Sequence, residues 1–162
     1  LPLELSLRST SDGPRLVWQP VKELERLRTK SWHFEHASLL PGDANPLADV
    51  RGELLELRAT FNPTSDAVVA LEVRGVPIRF DARSRKLSIA GRTAQVPAHD
   101  GAESLTIFLD RTTIEVFATG GLLYAPMPII ADEKRQDASL SVERGSATAI
   151  RLDGHQLGSS WD

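Results

Sequence analysis

The chain has 162 residues, 41% hydrophobic and 25% charged, with a formal net charge of −3 and no cysteine. That is the size and make-up of one globular domain with a sizeable core. It excludes disulfides and thiolate metal sites, offers no basic block for nucleic acid, and holds no apolar run near the roughly 20 residues that span a bilayer.

Leu3 to Arg8 alternates apolar and polar residues and predicts a strand, Ser9 to Gly13 is a turn cluster, and Arg15 to Gln19 is the returning strand. Pro20 suits the first position of a helix, and Val21, Leu24 and Leu27 or Arg28 follow at helical spacing. A short helix of two turns or fewer is therefore expected over Pro20 to Arg28. Trp32 to Ser38 predicts another strand, and Leu40 to Ala48, with two prolines, a glycine, Asp43 and Asn45, predicts a loop. Gly52 to Phe61 and Ala67 to Val73 are strands around the turn Asn62 to Asp66. Val76 to Phe80 and Lys86 to Ile89 form a hairpin, and Ala94 to Val96 is a short strand. After Gly120 and Gly121, Leu122 to Met127 is extended, and Ala138 to Val142 and Ala147 to Leu152 make the last pair.

The densest pattern is Leu105 to Phe117, two apolar strands around a short polar turn. Leu105, Ile107 and Leu109 share a face that Ile114 and Val116 continue. Phe108 and Phe117 take the other face, beside Asp110, Arg111 and Glu115. Both faces are partly apolar, which places this hairpin inside a sandwich. About a dozen short strands with turn signals every ~8–12 residues predict an all-β fold, a two-sheet antiparallel β-sandwich with one short helix near the N-terminus. No linker or repeat divides the chain, so residues 1–162 read as a single domain.

Catalytic signatures are few. There is no Gly-x-Ser-x-Gly elbow and no phosphate-cradling glycine loop. His33-Phe-Glu-His36 falls one residue short of a zinc motif, and on a strand His36 points away from His33 and Glu35, which favours a structural or surface histidine pair. If Leu109 pairs with Ile114, Asp110 and Glu115 lie diagonally on one face, roughly 7–8 Å apart. That separation superficially suits an inverting glycosidase. With Arg111 between them, a salt-bridged hairpin tip is the favoured reading. Trp18, Trp32 and Trp161 are candidate sugar-stacking residues, against core or interface positions for the first two and a frayed tail for the third. No metal or cofactor site is expected. The chain begins Leu1-Pro2 and its one methionine is Met127, so it reads as an excised or processed piece, and the lack of a leader leaves the compartment open.

Three stretches together resemble the C-terminal domain of glycoside hydrolase family 32, the β-fructosidases (levanase, inulinase and invertase types). Leu3 to Arg8 followed by Arg15 to Arg28 resembles the entry into that domain, Gln19-Pro-Val-Lys-Glu-Leu-Glu-Arg-Leu-Arg28 included. Gly52-Glu-Leu-Leu-Glu-Leu-Arg58 is similar to an early sandwich strand, and Leu105 to Phe117 to the signature Asp-Arg-Ser-Ser-Val-Glu-Val-Phe, here through Asp110, Arg111, Glu115 and Phe117. The run Ala118-Thr-Gly-Gly121 and the loop Leu40 to Ala48 depart from the family pattern and leave the subfamily open.

The resemblance implies a parent with a five-bladed catalytic β-propeller ahead of this sandwich, acting as a retaining fructosidase with two carboxylates ~5 Å apart. The propeller's motifs are missing here, so no catalytic residue is carried onto this chain. The expected role is a non-catalytic module that packs on the propeller or forms a subunit contact. The alternative is a carbohydrate-binding module for fructan or another polysaccharide. Val21, Leu24, Arg26, Leu27 and Arg28 are the candidate interdomain contacts. Expected partners are the propeller, with fructan and a second copy as candidates, and neither nucleic acid nor membrane. The parent would be extracellular or periplasmic if it is a secreted fructanase.

Overall fold

Apolar side chains at every second position bury one face of most strands, and those faces meet in one core. The computed structural model describes residues 1–10, 13–130, 132 and 134–159. In chain order the strands are β1 (Leu3–Thr10), β2 (Gly13–Pro20), β3 (Arg28–Leu39), β4 (Leu55–Pro63), β5 (Val68–Val73), β6 (Val76–Asp81), β7 (Lys86–Ile89), β8 (Arg92–Gln95), β9 (Glu103–Leu109), β10 (Thr113–Ala118), β11 (Leu123–Pro128), β12 (Ala138–Arg144) and β13 (Ala147–Leu157). They form a six-stranded sheet in the order β11-β10-β9-β4-β13-β3, a five-stranded sheet β12-β5-β6-β7-β8, and a separate ribbon β1-β2. Neighbouring strands in all three are antiparallel.

The two larger sheets stack as a sandwich. Leu57 and Phe61 of β4, Ile107 of β9 and Val116 of β10 lie in one core cluster with Leu71 of β5 and Ile78 and Phe80 of β6. Phe61 and Phe80 meet across the sheets edge-to-face, ring centroids 6.2 Å apart, the favoured arrangement for two ring quadrupoles. The Leu105–Phe117 hairpin has the expected register, with Leu109 opposite Ile114 and Val116 opposite Ile107.

Several boundaries differ from the sequence expectation. The expected helix is a 3-10 turn over Lys22–Leu27, while Pro20 ends β2. Six residues are too few to repay α-helix nucleation without a buried face, and none of the six is buried. The third strand is longer than Trp32 to Ser38 because β13 pairs with it from Arg28 to Leu39. That last strand runs straight through Gly154, around which Leu57, Val50 and the Trp32 ring pack within 3.5 Å of where a Cβ would stand.

The segment between β3 and β4 closes one side of the sandwich. Asn45 donates to the Ala138 carbonyl and accepts from the Leu140 N–H, Gly52 N–H donates to the Gln136 carbonyl, and Leu47 and Val50 join the core. Arg74 at the β5–β6 turn is buried and donates to the carbonyls of Glu53 and Arg135, tying two loops to the sheet edge. Buried guanidinium donors are tolerated only when satisfied in this way.

Candidate functional site

The ribbon β1-β2 and the 3-10 turn lie over the outer face of the six-stranded sheet. What holds the ribbon there is Gly121, whose φ of 92° and lack of a side chain let the backbone carbonyl of Trp18 approach where a Cβ would collide, with Val17 buried beside it. Trp18 then stacks on Tyr124 of β11 (5.5 Å, 27°), Tyr124 on Phe117 (4.8 Å, 20°), and Phe117 meets Phe108 edge-on (6.3 Å, 85°). The Tyr124 hydroxyl donates to Glu115 Oε2 at 2.6 Å, and the Leu1 nitrogen to Oε1 at 2.7 Å. Burial, and then the bond to that carboxylate, hold the Tyr124 phenol above its usual range.

A second cluster pins the 3-10 turn. Glu56, with 0% of its surface exposed, takes two 2.8 Å hydrogen bonds from the Arg28 fork and one of 2.7 Å from Arg58 Nε. Glu25 joins at 3.2 Å from Arg28 and 3.5 Å from Arg58, which closes a ring of two acids and two bases. Burial pushes the Glu56 carboxyl up, but the Arg28 hydrogen bonds and the charges of Arg58 and Arg28 outweigh it and hold it below its usual value. Burial and then the Arg28 charge push His155 down, beside its 2.8 Å contact with Ser31 Oγ.

Two clefts open between turn and sheet. One of about 260 Å³ is lined by Trp18, Val21, Leu24, Phe117, Glu56 and Arg58. The other, about 480 Å³, is lined by Leu24, Leu27, Phe108, Asp110, Glu115 and Leu157.

The structure brings some of the sequence candidates together and separates others. Val21, Leu24 and Leu27 are half-buried along the two clefts, and Arg26 is exposed. Arg28 points inward onto Glu56. Trp18 lines the smaller cleft with one ring face covered by Tyr124. Trp32 packs against the core with the Lys30 ammonium 4.6 Å from its ring centre, and Trp161 lies outside the described residues. Asp110 and Glu115 both reach the larger cleft, but both Glu115 oxygens are occupied, Asp110 Oδ1 accepts the Arg111 N–H at 2.6 Å, and Arg111 pairs with Glu53 at 2.8 Å. This is a hairpin tip tied by hydrogen bonds and an ion pair. His33 bonds Asp153 at 2.7 Å on the outer face, while His36 sits opposite Ile150 on the other.

Sequence reasoning did not single out Glu56 or Tyr124. The signal for Glu56 was present: a carboxylate between Leu55 and Leu57 in a strand whose other face is core. The bare face of the ribbon was legible as alternation but not as exposure. Leu5, Leu7 and Leu16 are 53%, 75% and 41% exposed, with Leu7 directly opposite Leu16 and Leu5 beside Trp18.

Comparison with known proteins follows the same lines. The chain is 28% identical to a levanase of Bacillus subtilis (strain 168), with 99% of this chain and 27% of the levanase covered. It is 22% identical to the extracellular exo-inulinase inuE of Aspergillus ficuum, over 100% of this chain and 35% of that protein. The fold superposes on a crystal structure of exo-inulinase from Aspergillus awamori with a TM-score of 0.84 at 19% identity, covering 99% of this chain and 36% of the other. A structure of sucrose-6-phosphate hydrolase from Lactobacillus gasseri gives a TM-score of 0.69 at 17% identity, over 96% and 33%. The chain thus spans between 27% and 36% of the length of these relatives. The family model described as "Glycosyl hydrolases family 32 C terminal" matches residues 23–155, and the chain belongs to that family of C-terminal domains.

Proposed function

We propose that this domain is a non-catalytic C-terminal module of a fructan- or sucrose-hydrolysing β-fructosidase, docked on the catalytic propeller through the bare face of β1-β2 and the adjoining 3-10 turn. One observation carries the reading: Leu5, Leu7 and Leu16 form an exposed apolar stripe on the ribbon face that also carries Trp18. Fully burying a leucine contributes about 1.5–3 kcal/mol, so covering these partly exposed side chains would contribute roughly 3–5 kcal/mol. Val21, Leu24 and Leu27 of the adjoining turn are half-buried, and Arg26 beside them is exposed. The relatives carry well over half of their length outside the matched segment, 27% and 35% of each being covered, which offers a partner domain.

The test is the parent enzyme with Leu5→Ser, Leu7→Ser and Leu16→Ser combined. Fructosidase activity should be lost at a lower temperature, and calorimetry should resolve two transitions where the wild type gives one. Unchanged cooperative melting would refute the docking face. A second reading, a fructan-binding site in the smaller cleft, is favoured by Trp18 in its wall. Titration of this chain with inulin- and levan-type oligosaccharides decides it: saturable NMR shifts around Trp18 support it, and no shifts at millimolar ligand remove it.

A further inference from the structure

The four sheet edges of the sandwich are not treated alike. On β11 the edge carries Pro126 and Pro128. The β12 edge is covered by the loop through Asn45 and Gly52, and β8 has only four residues. Edges are normally blunted by such devices because a free row of N–H and C=O groups templates another strand. At the remaining edge, β3 has twelve residues with neither proline nor glycine. Among the described residues its middle makes no backbone hydrogen bond beyond its ladder with β13.

The free backbone groups can be assigned. On β13 the Leu157 N–H reaches Leu54 on the β4 side, and the Gly158 N–H reaches Leu27 on the β3 side. Carrying that alternation back along β13, Gln156, Gly154 and Leu152 bond their β3 partners Lys30, Trp32 and Phe34. Ser31, His33 and Glu35 therefore turn their N–H and C=O away from the sheet. Their side chains lie on the outer face, where His33 sits 3.6 Å from Glu35 and 2.7 Å from Asp153.

We propose that the chain self-associates through β3, two copies pairing antiparallel about a two-fold axis at Phe34 so that their six-stranded sheets become one. This register sets His33 opposite Glu35 of the second copy and Glu35 opposite its His33, with hydrogen bonds formed by the residues whose backbone groups face outward. On the other face Phe34 meets Phe34 and Trp32 meets His36. A strand whose centre reads base, aromatic, acid is complementary to its own reverse, and that selects a second copy over an unrelated strand. The two-fold pairing lies at the edge opposite β11, away from the ribbon face, so it stands or falls separately from docking on a propeller.

Sedimentation velocity of this chain from about 5 to 500 µM tests it, a range suited to an edge contact smaller than a standard interface. A concentration-dependent dimer is expected. His33→Glu sets like charges opposite one another twice and should weaken the dimer about tenfold. The charge swap His33→Glu with Glu35→Lys restores opposite pairing and should recover it. His33→Pro removes an outward N–H that the β13 ladder does not use and should leave a folded monomer, its fold checked by circular dichroism. A wild type monomeric throughout, or a dimer indifferent to these variants, overturns the proposal.

Discussion

Arg28→Met would expose how much the turn depends on a single carboxylate. The substitution keeps the length of the side chain but removes both 2.8 Å hydrogen bonds to Glu56 and leaves only Arg58 on a carboxylate with no exposed surface. Stripping the partner from a buried ion costs about 3–5 kcal/mol. With one arginine remaining, the loss should be about 2–3 kcal/mol. For a chain of 162 residues that corresponds to a fall in Tm of about 4–12 °C. Urea unfolding followed by tryptophan fluorescence measures it, with Glu56→Gln completing a double-mutant cycle. The double variant should lose less than the sum of the singles, because no bare charge is left behind. The pH dependence has a definite sign. The folded Glu56 carboxyl lies below its usual 4.5, so its stabilisation is present above that value and lost as pH falls through the lower folded one. The gap between wild type and Arg28→Met should therefore close in acid. A loss under ~1 kcal/mol that adds simply with Glu56→Gln would mean the ring of charges is incidental.

Two other perturbations probe separate parts of the molecule. Gly121→Ala places a Cβ against the Trp18 carbonyl at a left-handed backbone position, so it should cost more than the ~1–3 kcal/mol of backbone strain and break the Trp18–Tyr124 stack in near-UV circular dichroism. Gly91→Ala, also at positive φ but with nothing within 4 Å, should show strain alone, and equal losses at both sites would contradict the packing argument. The hydrogen bond to Asp153 raises His33, whose contribution is full below its usual 6.5 and fades as pH rises through the higher folded value. By NMR, His33 should titrate above 6.5 and return toward it in Asp153→Asn.

The sandwich was legible because most strands announce themselves by alternation that depends only on their own residues. Leu105 to Phe117 showed both its register and its two faces, and that stretch together with Leu3 to Arg28 and Gly52 to Arg58 carried the family resemblance. What was not legible depends on residues far away in sequence. Arg28 stood on an apparent helix face, and only β4, which brings Glu56 beneath it, turns it inward. The last strand was read to Leu152, because nothing local shows that pairing with β3 and β4 carries it on through Gly154 to Leu157. The turn at Lys22–Leu27 carries helical spacing, but spacing alone does not supply a partner to stabilise an α-helix. Leu5, Leu7 and Leu16 could be assigned to one face at once. How closely the ribbon sits on the sheet depends on Gly121, more than a hundred residues on.

The place of β13 has a consequence for how such a chain is made. It is the last strand, yet it lies between β3 and β4, paired to both. During synthesis the β5–β8 meander and the β9–β10–β11 meander can close from neighbouring residues as they emerge. For most of that time β3 has nothing to pair with, because among the described residues its only ladder partner is more than a hundred residues away. Closing so large a loop is slow relative to forming hairpins. The six-stranded sheet is therefore sealed late, by a strand that joins a finished half to one that has waited.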